Sequence, residues 1–291
     1  MAEILNTCYL NGQFQDIGSA KISVLDRGFI FGDAVYEVIP ICDGVPFGLE
    51  QHLARLNNSL AAIQMPLPLP SQEWKPLLEE LVSRNGGGNQ SIYLQISRGV
   101  APRDHAITRE TTPTILMFAM RAGVAVSEAV SAISAEDPRW QHCDIKATSL
   151  LANVLLRTEA SDADAYETIL FRDGILTEGA ASNVFVVIDG KIYTPKADKR
   201  ILAGVTRQFL LDALRGTEWE VLEQDIDKQM FARVSEMWVT SSTRDLVPVI
   251  ELDNKPLGGG EIGDVYQQVS KRFGEFKSVS LRAAREKSRS L

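Results

Sequence analysis

The sequence predicts an α+β protein, because turn motifs of antiparallel hairpins alternate along the chain with segments of helical periodicity. Asn-Gly or Asp-Gly pairs stand between apolar runs at 11–12, 173–174 and 189–190, and such pairs are the strongest short signal for a hairpin. Residues 50–63 instead repeat leucine or isoleucine every three or four positions, as in an amphipathic helix. Hairpins interleaved with helices favour antiparallel or mixed sheets in two domains.

Residues 1–120 are predicted to form the smaller, N-terminal domain. Its helices are expected at 50–63, ended by the prolines that follow, and at 71–84, followed by three glycines. The glycine-containing segment 26–33 is expected to be a loop with unusual backbone angles. Strands are expected in a hairpin at 8–15 and at 34–41, 91–97 and 114–120.

A short connector at 121–125 is predicted to lead into a larger domain, 126–291, with a second set of hairpins and helices. Helices in this domain are expected at 149–160, 204–214 and 262–276, each with one apolar stripe. Strands are expected at 127–134, 167–172, 183–188, 191–194, 219–223 and 236–241.

Composition excludes several classes of function. A formal net charge of −8 argues against a nucleic-acid partner and leaves a small molecule as the default ligand. No apolar run is long enough to span a bilayer, and the N-terminus has no signal-peptide pattern, so we expect no membrane partner and a cytoplasmic location. Three dispersed cysteines and three histidines predict neither disulfides nor a metal site.

Lys146 is the first candidate for catalysis. It stands where a β-type apolar run is expected to give way to a helix with Leu150, Leu151, Val154 and Leu155, so its side chain is expected to start from a covered backbone. Burial disfavours the ammonium form, which would make the lysine an amine nucleophile. Taken alone, these residues favour the simpler interpretation, a surface lysine at a helix entrance.

Further candidates follow the strands and open the helices of the second domain. Glu178 is an acid at the start of an apolar strand. It either pairs with a buried cation or is simply exposed in a turn. The helix start at Gly204, Val205 and Thr206 would present free N–H groups to a phosphate. Hydroxyls at Ser241 and Ser242 after a strand are phosphate donors or an ordinary polar strand end. Arg55, on the first helix, adds a cation.

In order and spacing, these segments resemble the class IV, or fold type IV, pyridoxal-phosphate aminotransferases over roughly the whole chain. The segments that carry the resemblance are Phe31–Val38, His52–Leu56, Asp144–Lys146, Thr177–Phe185, Gly204–Arg207 and Thr240–Ser242. The resemblance implies a small N-terminal α/β lobe and a larger C-terminal lobe with a mixed or antiparallel barrel-like sheet. It implies that Lys146 forms the Schiff base with pyridoxal 5'-phosphate and shuttles the proton, and that Glu178 pairs with the ring nitrogen. Phosphate contacts are implied for Arg55, Val205, Thr206, Ser241 and Ser242, with Leu202 against the ring.

The loop that contains Arg103 and His105 points to one branch of this family. Together with Tyr36, these residues resemble the carboxylate trap of D-amino acid aminotransferases, in which the loop crosses a homodimer interface. The resemblance therefore implies transamination of D-alanine or D-glutamate with 2-oxo acids such as 2-oxoglutarate, in a homodimer with its site at the subunit interface. In place of the serines that follow the Glu-Gly pair in those relatives, this chain has Ala180 and Ala181.

Three alternatives stay open at this point. An aminodeoxychorismate lyase would share the lysine and the phosphate contacts without needing Arg103 and His105 as a carboxylate clamp. A branched-chain L-amino acid aminotransferase would have a more apolar loop at that position. A non-catalytic binding protein on the same scaffold would not need Lys146, Glu178 and Arg55 together.

Overall fold

The structure, a computed structural model, describes residues 3–107, 110–121 and 128–289. The chain divides into two compact units. The first comprises the described residues of Met1–Gly123 with Ile145–Ser149 and Leu281–Leu291, and the second those of Val124–Asp144 and Leu150–Ser280. The predicted connector at 121–125 lies outside the described residues except for Arg121, and the boundaries 1–120 and 126–291 stay a prediction.

The first unit is built on a six-stranded sheet in which all neighbours are antiparallel. The strands are β1 (Ile4–Leu10), β2 (Gln13–Asp16), β3 (Ala34–Cys42), β4 (Val45–Pro46), β5 (Gln90–Ser97) and β6 (Thr114–Arg121). They follow the order β2-β1-β6-β5-β3-β4. Asn11 and Gly12 take φ angles of 48° and 94° between β1 and β2, as a tight hairpin turn requires. The predicted hairpin is therefore confirmed.

Two of the helices in this unit pack on the sheet with the apolar stripes read from the sequence. They are α2 (Leu49–Ala62) and α3 (Ser71–Arg84), within one residue of the predicted bounds. Leu56 and Leu60 of α2 and Trp74 of α3 are fully buried in one apolar cluster with the sheet residues Ile39 and Ile92. Burial of such side chains contributes roughly 1.5–3 kcal/mol each, which fixes both helices on this face.

The loop predicted at 26–33 is wrong in part, because a short helix, α1 (Arg27–Phe31), lies within it. Asp26 Oδ1 accepts the N–H of Gly28 at 2.8 Å and caps the first turn. Gly32 ends the turn with a left-handed φ of 65°. Of the two glycines that suggested a loop, Gly28 lies inside this capped helix and Gly32 ends it.

The second unit contains a nine-stranded mixed sheet. Its strands are β7 (Val130–Glu136), β8 (Glu167–Arg172), β9 (Ile175–Gly179), β10 (Asn183–Ile188), β11 (Lys191–Thr194), β12 (Val221–Glu223), β13 (Glu236–Ser241), β14 (Asp245–Leu252) and β15 (Lys255–Pro256). Eight of them follow the order β12-β11-β10-β13-β14-β7-β8-β9, and β15 pairs with β14. The pairs β7–β8, β7–β14 and β11–β12 are parallel, and the others are antiparallel. Since the chain passes directly from β9, at one end of this order, to β10 near the other, the sheet has to curl, as the barrel-like expectation required.

Strands β4, β14 and β15 were not predicted, and β9 was implied only by the Asp173-Gly174 turn before it. Pro248 lies inside β14, and a proline argues against a central strand because it has no N–H for the ladder. The parallel ladder to β7 begins only at Val249, which leaves Pro248 outside it. Local propensity therefore argues against a strand at these residues. Pairing with β13 on one side and β7 on the other nevertheless holds β14 in the middle of the sheet.

The helices α4 (Leu151–Asp162), α5 (Val205–Leu214) and α6 (Lys228–Phe231) lie in the second unit, and α7 (Asp264–Arg289) begins in it and ends in residues of the first. Helices α4, α5 and α7 were predicted, although α7 continues well beyond the expected end at 276, whereas α6, a single turn capped by Asp227, was not predicted. Helix α4 differs from expectation in its orientation: Leu151, Val154 and Leu155 are 73%, 56% and 55% exposed, and Leu156 and Ala160 are buried instead. No helix in the described part of the chain is long and apolar enough to cross a membrane.

Substitution of Gly99 tests how tightly the loop after β5 is built. Gly99 has a φ of +90°, and a Cβ at this position would collide with the carbonyl oxygen of Thr112. We expect Gly99→Ala to lower the free energy of unfolding by roughly 2 kcal/mol or more, since left-handed backbone strain and a backbone clash add together. The urea midpoint followed by circular dichroism measures this loss.

Gly44→Ala is the matched control. Gly44 has a similar φ of +81°, but no described atom lies within 4 Å of its added Cβ. It should lose only the roughly 1 kcal/mol of backbone strain. Equal midpoints for the two variants would contradict the packing described around Gly99.

Candidate active site

Lys146 lies in the first unit, in an irregular segment rather than after a strand. Its backbone N–H donates to Ser59 Oγ of α2 at 3.2 Å, and its carbonyl accepts the N–H of Tyr36 of β3 at 3.0 Å. An isolated bridge between Ala147 and Val35 continues this contact. The half-buried side chain places Nζ 4.2 Å from the centroid of the Tyr36 ring, where the ring face attracts an ammonium group. The backbone is covered as expected, but by α2 and β3 instead of by its own helix.

A buried carboxylate, Glu37, organises the neighbouring charges of the same unit. Glu37 accepts Arg55 Nε and Nη2 at 2.8 Å each, and its Oε2 lies 2.7 Å from His52 Nδ1. Burial would raise the pKa of Glu37, but Arg55 and His52 hold that pKa at about 2. Burial lowers the pKa of His52, so a neutral ring that donates through Nδ1 satisfies both residues. Arg55, predicted on the polar side of its helix, is thereby fixed in direction.

Arg103 and His105 are exposed on the loop between β5 and β6, and both approach the same aromatic ring. The Arg103 guanidinium carbon lies 5.6 Å from the centroid of Phe31, and the His105 ring lies 5.4 Å from it. Tyr36, the third member of the predicted trap, stacks instead on Tyr93 at 5.5 Å. Within one chain, the structure thus groups Tyr36 with Lys146, and Arg103 with His105.

Glu178 lies in the second unit at the end of β9 and is 4% exposed, which rules out the exposed-turn interpretation. Its Oε1 accepts Arg139 Nη1 at 2.5 Å, and its Oε2 accepts Asn183 Nδ2 and the N–H of Leu202 at 3.0 Å each. Arg139 in turn is held by Asp137 at 2.8 Å. Burial raises the pKa of Glu178 to about 7, although Arg139 and Leu202 oppose the rise. A nearby cation would stabilise the ionised form further.

Asn183 connects Glu178 to the other polar residues of this unit. Besides Glu178, its Nδ2 donates to the carbonyl of Leu202 at 2.8 Å. Asn183 lies opposite Thr240 in the β10–β13 ladder. A Cβ on Gly204 would collide with Asn183 Oδ1, so the chain approaches the amide as closely as only glycine allows. Glu178, Leu202, Gly204 and Thr240 therefore surround one amide side chain.

Hydrogen-bond donors without side-chain acceptors collect beside this amide. Helix α5 has Gly204 at its N-cap and no side-chain cap, so the buried Val205 and Thr206 begin the helix without one. Thr240 Oγ1 is buried and has no hydrogen-bond partner among the described residues. Ser241 and Ser242, both half-buried, follow it directly. An uncapped helix start with hydroxyls at hand is suited to an oxyanion such as phosphate.

The turn that follows Glu178 is held by an acidic residue in spite of its alanines. Glu167 Oε2 accepts the Ser182 hydroxyl at 2.8 Å and the N–H of Ala181 at 3.3 Å. The carbonyl of Ala180 accepts Asn153 Nδ2 at 2.7 Å. Backbone groups and Ser182 thus support the turn, which has no side-chain hydroxyl at 180 or 181.

Comparison with known proteins identifies the family. Residues 34–252 match the family described as amino-transferase class IV. The chain is also similar to D-alanine aminotransferases: it is 37% identical over 262 residues to that of Bacillus licheniformis, covering 89% of this chain and 93% of the relative. For that of Staphylococcus haemolyticus the identity is 35% over 272 residues, with 92% and 96% covered.

The chain is a class IV aminotransferase. Solved structures agree on the fold of this transaminase. The branched-chain amino acid aminotransferase of Escherichia coli superposes with a TM-score of 0.86 at 23% identity, covering 94% of each chain. That of Thermoproteus uzoniensis gives 0.84 at 22% identity, covering 97% and 95%. The two-lobed fold type IV architecture expected from the sequence is confirmed.

The sequence analysis assigned no role to four residues that hold the candidate residues in place, namely Glu37, His52, Arg139 and Asn183. Glu37 and His52 had a weak signal, since an acid within an apolar strand and a histidine three positions before Arg55 both occupy inward positions. Asn183 lay in a segment that carried the resemblance but was given no role there. Nothing in the sequence pointed to Arg139, because Glu178 lies 39 positions away from it. Within the described residues, no His, Cys, Asp and Glu side chains are grouped to hold a metal ion.

The acid sensitivity of the enzyme should depend on Glu37. Its pKa in the folded protein, about 2, is below the usual value of 4.5. The stabilisation it provides is therefore complete above pH 4.5 and is lost as the pH falls towards 2. Glu37→Gln should lower the thermal midpoint strongly at pH 7 and by a clearly smaller amount at pH 3.

Glu50→Gln, at an exposed acid in the first turn of α2, is the control. It should shift the midpoint little at either pH. A loss from Glu37→Gln that is equally large at pH 3 and pH 7 would contradict the charge assignment.

Proposed function

We propose that this aminotransferase exchanges amino groups between D-amino acids, with D-alanine or D-glutamate as substrates, and 2-oxo acids such as 2-oxoglutarate. The observation that carries the proposal is the pair Arg103 and His105, two donors brought together beside Phe31 on one loop. The named relatives at 33–37% identity are D-alanine aminotransferases, which supports the same choice. The alternatives are a branched-chain L-amino acid aminotransferase and an aminodeoxychorismate lyase.

The residues present fit pyridoxal 5'-phosphate as the cofactor. The unpartnered Thr240 hydroxyl and the uncapped start of α5 are donors that an oxyanion would satisfy. We assign the phosphate to Val205, Thr206, Ser241 and Ser242, with the guanidinium of Arg55 as its cation. Leu202 would lie against the ring. When bound, this cofactor supplies an electron sink for the charge left on the substrate Cα.

Glu178 is proposed to hold the protonated ring nitrogen. An ionised carboxylate that is this deeply buried requires positive partners, and Arg139 already supplies one. A second positive group would lower the pKa of Glu178 from about 7 and keep it ionised. Arg139, Asn183 and Leu202 orient the carboxylate, so its direction is set before any ligand binds.

Lys146 is proposed as both the attachment point and the acid–base group. Its backbone is fixed by Ser59 and Tyr36, so Nζ reaches from a defined position. As a free amine, Nζ would accept the proton from the substrate Cα and, as an ammonium, donate it on the other side of the substrate nitrogen. Arg103 and His105, with Tyr36, would hold the α-carboxylate. The side on which the carboxylate is held decides which Cα–H faces Nζ, and hence selects the D enantiomer.

We further propose a homodimer in which the Arg103 and His105 loop of one subunit completes the site of the other. Large apolar side chains are exposed on both units, including Phe29 at 70% on the first and Leu151, Val154 and Leu155 on the second. The last three lie three or four positions apart on α4 and so form one apolar stripe, which is typical of a surface that another chain covers. Three free cysteines suit a reducing compartment, and we propose a cytoplasmic location.

A single-turnover assay tests the substrate class. The cofactor-loaded enzyme is mixed with D-alanine, L-alanine, D-glutamate or L-leucine without a 2-oxo acid, and the absorbance of the bound cofactor is followed. We expect the D-amino acids to bleach it at least about 100-fold faster than either L-amino acid, because only one face of Cα is presented to Lys146. Bleaching by L-leucine and by neither D-amino acid would establish the branched-chain alternative.

Mixing two variants tests the shared site. Lys146→Ala should be inactive, and Arg103→Met should be inactive at low D-alanine concentration. After subunit exchange, half of the dimers are mixed, and each holds one complete site of two. Activity should therefore return to about a quarter of the parent value.

Two homogeneous controls accompany this mixture. Each variant exchanged with itself should remain inactive under the same conditions. No recovery in the mixture, with exchange verified by mass spectrometry of differently tagged subunits, would mean that Lys146 and Arg103 serve the same subunit.

A further inference from the structure

The loop that contains Arg103 and His105 is tied to the first unit by a buried charge cluster formed by Arg27, Asp33 and Arg98. Arg27 Nε donates to Asp33 Oδ2 at 2.8 Å. Arg98 donates to the same carboxylate through Nε at 2.8 Å and Nη2 at 3.0 Å. The side chains are 4%, 14% and 5% exposed for Arg27, Asp33 and Arg98. One carboxylate thus holds two guanidinium groups in fixed directions.

Arg98 fixes the beginning of the loop. Its Nη2 donates to the carbonyl of Ile63 at 2.6 Å, just beyond α2. The adjacent Gly99 carbonyl accepts the N–H of Arg27 at 2.9 Å. Gly28 also packs so closely that a Cβ would lie 2.7 Å from Ser97 Cβ. Helix α1 is therefore locked against the residues from which the loop departs.

Arg27 reaches the part of the loop next to the proposed carboxylate ligands. Its Nη1 donates to the carbonyl of Asp104 at 2.6 Å, and weaker contacts at 3.5 Å reach the carbonyls of Ala106 and His105. Asp104 separates Arg103 from His105 in the chain. The Arg27 guanidinium also lies 4.8 Å from the Phe31 ring, the ring that Arg103 and His105 approach. A single buried guanidinium thus contacts the loop backbone and the ring beside it.

The charge arrangement makes this contact stiff. Burial alone would raise the pKa of Asp33, but Arg98 and Arg27 lower it, so the acid stays ionised. A planar guanidinium with its Nε on a carboxylate has its remaining donors fixed in direction. Loops usually hold ligand groups loosely, whereas this one has three of its carbonyls within reach of a buried donor.

We propose that Arg27 is a positioning residue for the substrate carboxylate: it fixes the backbone at 104–106 so that Arg103 and His105 present their donors together. This inference rests on the proposed function of those two residues. Arg27 acts through the loop without touching the substrate. Its loss therefore weakens carboxylate binding in the ground state, and leaves the proton transfer at Lys146 intact.

The test is a double-mutant cycle between Arg27 and Arg103, measured on the cofactor-loaded enzyme with D-alanine. Arg27→Met should raise KM about tenfold or more, change kcat less than about threefold, and leave cofactor affinity, measured by fluorescence titration of the cofactor-free protein, unchanged. Arg27→Lys keeps the charge beside Asp33 but loses the fork, and should raise KM similarly. Because Arg27 acts through Arg103 and His105, its loss should raise KM by a clearly smaller factor in the Arg103→Met variant than in the parent enzyme.

Arg84→Met is the matched control, since Arg84 is a half-exposed arginine paired with Glu80 on α3. It should keep the parent KM. Parent-like KM values for both Arg27 variants, or a double variant whose KM rises by the product of the single effects, would overturn the positioning role. If Arg103→Met itself keeps the parent KM, the proposed carboxylate ligand fails, and the inference fails with it. If Arg103→Met raises KM while both Arg27 variants keep the parent KM, only the inference about Arg27 is overturned, and the proposed role of Arg103 stands.

Discussion

The buried carboxylate of Glu178 is the constraint on which the second unit depends. An ionised carboxylate away from water costs several kcal/mol unless charged and hydrogen-bonding partners replace the solvent. Three separate segments supply them: Arg139 after β7, Asn183 at the start of β10, and the Leu202 N–H before α5. The partners that this one acid requires therefore fix the relative positions of two strands and a helix start. The hydrogen-bond donors proposed for the cofactor lie around the same acid.

The first unit is also organised around a buried carboxylate. Glu37 is fully buried and is satisfied by Arg55 and His52 from one helix, so the acid on β3 fixes α2 in register against the sheet. Lys146 is then attached to this pair of elements through Ser59 and Tyr36. In both units the residues proposed for chemistry are held, directly or through the elements that carry them, by buried ion pairs and hydrogen bonds of groups that do not themselves react. Such preorganisation holds reactive groups in position without rearrangement when a ligand arrives.

The turn at Ala180 and Ala181, where the resemblance leads one to expect serines, does not depend on side-chain hydroxyls at these two positions. Glu167 accepts the Ser182 hydroxyl and the Ala181 N–H, and Asn153 donates to the Ala180 carbonyl. Backbone donors and acceptors persist whatever the side chain is, so a lost hydroxyl removes one interaction and not the turn.

Periodicity and turn chemistry alone determined most of the elements: the Asn11-Gly12 hairpin, helices α2 and α3, and the α+β class all follow from neighbours within a few residues. The identities of Lys146, Glu178, Arg103 and His105 as candidates came from their order and spacing along the chain. Only the tertiary structure decided what surrounds them. Sequence proximity suggested that Leu151, Val154 and Leu155 cover Lys146, yet they are exposed, and strand β14 forms around a proline. Arg139 meets Glu178 across 39 positions of the chain, Asn183 meets Leu202 across 19, and Arg27 meets Asp104 across 77. Such long-range pairings leave no periodic trace, because burial and charge compensation are properties of the folded arrangement.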